Sequence, residues 1–268
     1  MDNPRYICKK INHDFDVDGN LDKDIWKKAE KTGRFIDIIG GNPALYDTRA
    51  AMLYSDRYLY IGFWAEDPYP EAKLTKRDDL IWFENDIEVF IDGGDTYYEF
   101  QINALNTVYE VFYIWQDAYK RNLDLYRDEF DLIQNDAISF GGNHDRTGRY
   151  FWKGSHPRKN RWAFLKWDFP GLKTAVKIQG VLNNPEVESK GFTVELAFPW
   201  EGMKWLANGR NLPPREGDMW KIFLGRYQQI KMNGKQTAVG WALDPIGSDD
   251  NHFPEKFSNI MFSEDMII

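Results

Sequence analysis

The chain has 268 residues, a formal net charge of −8, 43% hydrophobic and 16% aromatic content, and 11 Trp. That length and apolar content suffice for one large core, while the acidic balance argues against nucleic acid and anionic membranes as partners. No apolar run approaches the roughly 18 residues of a membrane span, and a lone cysteine, Cys8, rules out an internal disulfide.

The N-terminal residues Met-Asp-Asn-Pro-Arg-Tyr contain no apolar signal-peptide core. This points to the cytoplasm, or to a chain that begins after a removed signal. Asp14, Asp16 and Asp18, followed by Gly19, have the oxygen spacing of a calcium loop. The twelfth position of an EF-hand would be Ile25 instead of Glu, so that motif is refused. The same residues also suit a turn and N-cap leading into a short helix predicted over 21–30.

Period-2 alternation predicts strands over 49–55, 58–65, 86–92, 97–104 and 107–113. A second set is predicted over 174–182, 192–198, 220–227, 237–242 and 257–262, with another short helix after Trp200. Short polar turns at this spacing predict an all-β chain forming one antiparallel β-sandwich, of immunoglobulin or jelly-roll type, over residues 1–268. Between the two sets, residues 115–171 show no sustained periodicity but hold Trp115, Tyr119, Tyr126, Tyr150, Phe151, Trp152, Trp162 and Trp167. Such a long aromatic insertion is either a cap on the sandwich edge or a wall of a binding site.

In the strand at 86–92, Asp86, Glu88, Phe90 and Asp92 share one parity, and Ile87, Val89 and Ile91 the other. Trp82 stands six residues ahead of Glu88, in the segment feeding the strand. An apolar ring beside a carboxylate suits a sugar, which offers C–H faces and hydroxyl edges. Catalytic signatures are missing from the sequence: it has no G-x-S-x-G, H-E-x-x-H, P-loop or G-x-G-x-x-G pattern.

Four blocks, in order, carry a family resemblance. They are 17–26, ending at Trp26; 82–106; 191–200 together with 214–220; and Trp241 together with 252–257. In these the chain resembles the family 9 carbohydrate-binding modules, in particular their stand-alone bacterial relatives. The resemblance implies a β-sandwich that binds an oligo- or polysaccharide without catalysis. It implies that Trp82 stacks on a sugar ring and that Glu88 accepts from its hydroxyls. The strand holding Gln101 and Asn103 matches one whose second position is a sugar-contacting Arg, here replaced by Gln101. A further polar contact is implied near Arg226. The family's second clamping Trp has no counterpart before the last strand, where Asn251 and His252 stand nearest. The resemblance also implies structural calcium, for which Asp14, Asp16 and Asp18 are the candidates in this sequence. Other readings stay open: a glycoside hydrolase on the same sandwich, a protein-interaction domain, or a haem site drawing on His13, His144, His156 or His252.

Overall fold

The computed structural model describes residues 4–141, 156–232 and 234–267. Fourteen strands run among them: β1 Tyr6–Lys10, β2 Ile36–Asp37, β3 Thr48–Tyr54, β4 Tyr58–Glu66, β5 Asp86–Asp92, β6 Thr96–Ile102, β7 Val108–Trp115, β8 Ile138–Phe140, β9 Arg161–Phe164, β10 Lys173–Gln179, β11 Gly191–Pro199, β12 Met219–Met232, β13 Lys235–Ala242 and β14 Ser258–Met266. Three short helices join them: α1 Asp24–Lys28, α2 Gln116–Arg121 and α3 Leu123–Tyr126.

Hydrogen bonding follows the order β10-β11-β4-β3-β1-β14-β12-β5-β6-β7-β9-β8, with β13 and β2 branching from β12. This ribbon folds over on itself. Phe198 of β11 meets Phe100 of β6 edge-on at 5.6 Å between ring centroids, so the β3–β4–β11 and β5–β6–β7–β12 regions form two packed layers. The sandwich is as expected, but it is not wholly antiparallel. β1 pairs parallel with both β14 and β3. Parallel neighbours need a crossover of a dozen or more residues, and residues 11–47 supply it between β1 and β3.

The alternation in β5 divides the two faces. Ile87, Val89 and Ile91 enter the inter-layer core, while Phe90 joins a second apolar cluster on the outer side of the same layer. Each such aliphatic side chain contributes on the order of 1.5–3 kcal/mol. Both faces are covered, so every residue of β5 except Asp92 is buried. A third cluster lies outside the other layer, where Leu21 and Trp26 pack on Ala51, Leu53 and Tyr60.

The insertion is more ordered than its sequence suggests. It holds α2, α3, β8 and β9, and β9 hydrogen-bonds to β7 as an added antiparallel strand. Trp115, Tyr119, Tyr126 and Trp167 are buried in it. Elements of three to six residues are too short to show a hydrophobic period, which is why the pattern was silent. Tyr150, Phe151, Trp152 and His144 lie outside the described residues.

Candidate functional site

The segment entering β5 fixes Trp82. A single 3-10 turn spans Ile81–Phe83, with Ile81 buried and Trp82 half-buried. The Phe83 ring lies 3.7 Å from the Trp82 ring, centroid to centroid, and is 63% exposed. The Glu84 carboxylate anchors the turn, accepting from the Lys73 backbone N–H at 2.9 Å and from Asn103 Nδ2 at 2.8 Å. Asn85 holds the other side, its Oδ1 accepting from the Gln229 N–H at 2.7 Å. Asn103 also donates to the Leu74 carbonyl, while its Oδ1 accepts from Leu105 and Thr107 N–H groups. Both donors and both acceptor sites of that amide are therefore committed to the turn.

Glu88 and Gln101 face each other across the β5–β6 ladder, with Tyr109 of β7 next in the same row and Gly225 of β12 on the other flank. Glu88 is buried. Its Oε1 accepts from Gln101 Nε2 at 3.0 Å and its Oε2 from Asn251 Nδ2 at 2.6 Å. Gln101 Nε2 donates also to Glu99 Oε1 at 2.8 Å. Turning the amide over would set its carbonyl against two carboxylates, so electrostatics fixes the orientation. Gln101 Oε1 is then left buried and, among the described residues, accepts no hydrogen bond.

Beneath this row lies a buried polar network that the sequence did not reveal. Glu99 Oε2 accepts from the Tyr113 hydroxyl at 2.6 Å. Burial raises the Glu99 carboxyl to about 7, with Asp250 adding to the effect and the bonds from Tyr113 and Gln101 opposing it. Arg161, fully buried, donates to the Tyr97 hydroxyl at 2.7 Å and to the His252 carbonyl at 3.0 Å. The Tyr97 hydroxyl also shares a hydrogen bond with His252 Nδ1, 3.0 Å away. The His252 ring is only 1% exposed and packs edge-on against Phe90, Tyr113 and Phe140. It is a wedge in the core, not an exposed platform that could replace the missing Trp.

Two further aromatic side chains share this outer face and are half-buried: Tyr109, opposite Gln101, and Tyr227, opposite Asp86. A Cβ at Gly240 would come within 2.8 Å of the Tyr227 ring, so the glycine lets that ring lie across β13. Parity with Tyr113 could have flagged Tyr109, but only once the hairpin register was known.

Arg226 sits on the other face. It is fully buried and aligned with Ile87, and it pairs with Asp67 at 3.0 Å. It also donates to the Glu66 carbonyl and Gln228, with the Trp241 ring 5.4 Å from its guanidinium. The strand parity that sends Glu88 outward sends Arg226 inward, so the two do not meet.

Asp14 and Asp18 are turned to separate partners. Asp14 accepts from the Ser55 and Tyr60 hydroxyls, and Asp18 pairs with Lys23 and accepts from the Asn20 N–H. Among the described residues, no group of three or more His, Cys, Asp or Glu could hold a metal ion. The segment forms the turn into α1. His13, His156 and His252 likewise engage separate neighbours, Asn12, Glu255 and Tyr97.

No protein-family model matches the sequence, and no curated protein matches it either. Solved structures do. A family 9 carbohydrate-binding module from Caldicellulosiruptor kristjanssonii in complex with cellotriose superposes with a TM-score of 0.52 at 13% identity, covering 96% of this chain and 94% of that one. The same organism's family 9 module in complex with glucose gives 0.51 at 12% identity, covering 96% of each chain. A candidate carbohydrate-binding protein of Bacteroides uniformis gives 0.57 at 14% identity, covering 96% of this chain and 98% of that one. Over nearly its whole length, then, the chain has the fold of the family 9 carbohydrate-binding modules.

Proposed function

We propose that the chain binds a carbohydrate, without catalysis, on the outer face of the β5–β6–β7–β12 layer. The observation that carries this reading is the row Asn251–Glu88–Gln101, a carboxylate oriented by two amides, with the half-buried Tyr109 next in the same row, Tyr227 on the same face and Trp82 in the turn that feeds β5. Glu88 and the spare Gln101 Oε1 would accept from sugar hydroxyls, and Trp82 with Phe83 would offer a ring surface to the C–H face. The fold shared with modules that hold cellotriose and glucose supports the same ligand class. Asn103 and Arg226 we assign to scaffolding.

The test is calorimetric titration with glucose and cellotriose. Trp82→Ala should weaken binding several-fold while leaving the melting temperature nearly unchanged, since a stacked ring contributes about 0.5–1.5 kcal/mol beyond its area. Unchanged affinity in the folded variant removes Trp82 from the site.

One observation favours a second reading, glycoside hydrolysis. Glu88 and Glu99 both accept from the Gln101 nitrogen, at 3.0 and 2.8 Å, which brings two carboxylates close together, and paired carboxylates are what glycosidases use. Release of glucose from cellotriose during the same titration would move hydrolysis ahead of binding.

A further inference from the structure

A cavity of about 280 Å³ opens on the outer face of the opposite layer, lined by Lys31, Arg49, Trp64, Glu66, Gln179 and Lys190 among others. Trp64, Arg49 and Thr193 stand in one row across β3, β4 and β11, so strand register places the ring in the cavity wall. Trp64 is held edge-on against the buried Trp26 at 6.2 Å. The Lys31 ammonium lies 3.8 Å above the Trp64 ring centre, where the π-face attracts a cation.

The charges here are unevenly matched. Arg49 is committed to Asp47, through Nε at 3.2 Å and a terminal nitrogen at 3.1 Å, and Glu66 accepts from the Asp47 N–H at 2.8 Å. Lys31 and Lys190 form no ion pair among the described residues, although the chain as a whole carries −8. Partial burial, and then the nearby Arg49, lowers the Lys31 pKa, against the opposing pull of Asp22 and Asp47. An anion entering the cavity would meet two lysines that no carboxylate pairs among the described residues.

We propose that this cavity is a second binding site, for a single sugar unit bearing a carboxylate, that is, a uronic acid residue. Lys31 and Lys190 take the carboxylate, and Gln179 is the hydroxyl partner within reach of the same cavity. The volume sits at the lower limit of small-molecule pockets, roughly 300 Å³, which suits one ring rather than a chain. The site shares no residue with the Glu88 face, so neither reading depends on the other.

The experiment is titration with galacturonate, galactose and acetate, followed by the indole N–H resonances. Galacturonate should bind and shift a Trp64 indole signal, identified by its loss in Trp64→Phe. Galactose should bind at least tenfold more weakly, because a hydrogen bond to a charged group outweighs a neutral one by about that factor, and acetate should bind more weakly because it lacks the ring and its hydroxyls. The double variant Lys31→Gln, Lys190→Gln should lose galacturonate and keep cellotriose. The proposal is overturned if galacturonate does not bind, if acetate binds as tightly, or if the double variant still binds galacturonate. None of those results bears on cellotriose binding at Glu88.

Discussion

Gln101 stands directly across the β5–β6 ladder from Glu88 and donates to its carboxylate at 3.0 Å. The same nitrogen donates to Glu99 at 2.8 Å, so one neutral amide spans two buried acids. Two carboxylates this close cannot both ionise cheaply. Both are buried, and the Glu99 carboxyl has its proton affinity raised.

Glu88→Gln should therefore weaken cellotriose binding by about tenfold or more, since hydrogen bonds to a charged group contribute roughly 1.5–3 kcal/mol. The substituted amide has one acceptor for two donors, Gln101 and Asn251, so some loss of thermal stability should accompany it. Calorimetry at a temperature where the variant is fully folded separates the two effects. A variant that is destabilised yet binds like the parent would make Glu88 a structural carboxylate.

Glu99 sets a pH dependence. Its carboxyl is raised from 4.5 to about 7 in the folded chain, chiefly by burial. The native state thus holds a proton that the unfolded state has released across this window, and stability falls where the native state binds more protons. The contribution is fully present below about pH 4.5 and lost as the pH rises through about 7. Glu99→Gln mimics the protonated form. The melting temperature of the parent relative to this variant should decline from pH 4.5 to 7 and then level off. A constant difference across that range counts against the buried acid.

Much of this was legible in the sequence. Ten strands were placed within a few residues, because polar and apolar residues alternate along strands such as β5 and β6 even though both faces are covered. β1 was missed: its five residues are too few, and its partners β14 and β3 lie far along the chain. Glu88, Gln101 and Asn251 were named as separate candidates, and the structure joins them by direct hydrogen bonds. Their supports, Glu99, Tyr97, Tyr113 and Arg161, were invisible because only strand register and the β7–β9 pairing bring them together. The sequence did not show which way Arg226 faces; register aligns it with Ile87, where it pairs with Asp67.

Arg226→Met tests that orientation. Removing the guanidinium leaves Asp67 buried with only the Gln228 amide among the side chains at its carboxylate oxygen, and breaking a buried pair this way costs about 3–5 kcal/mol. The melting temperature should drop by many degrees, while Arg226→Met with Asp67→Leu should recover part of the loss. Cellotriose affinity, measured where the protein is folded, should stay at the parent value. A selective loss of affinity without destabilisation would return Arg226 to the binding site.

The loop before β14 offers the sharpest separation between holding the fold and holding a ligand. Asn251 and His252 are adjacent in sequence, yet Asn251 donates to Glu88 at 2.6 Å while His252 is wedged among Phe90, Tyr113 and Phe140. Truncating a large buried side chain costs on the order of 3–5 kcal/mol, so His252→Ala should act mainly on stability. Asn251→Ala removes one bond that orients the carboxylate, and should act mainly on affinity. If Asn251 works through Glu88, the two positions are coupled. A double-mutant cycle of Asn251→Ala with Glu88→Gln, read out as cellotriose affinity, should then be non-additive by about 0.5–3 kcal/mol. Strict additivity would mean that Asn251 meets the sugar on its own account, or not at all, and the proposed row would lose its central joint.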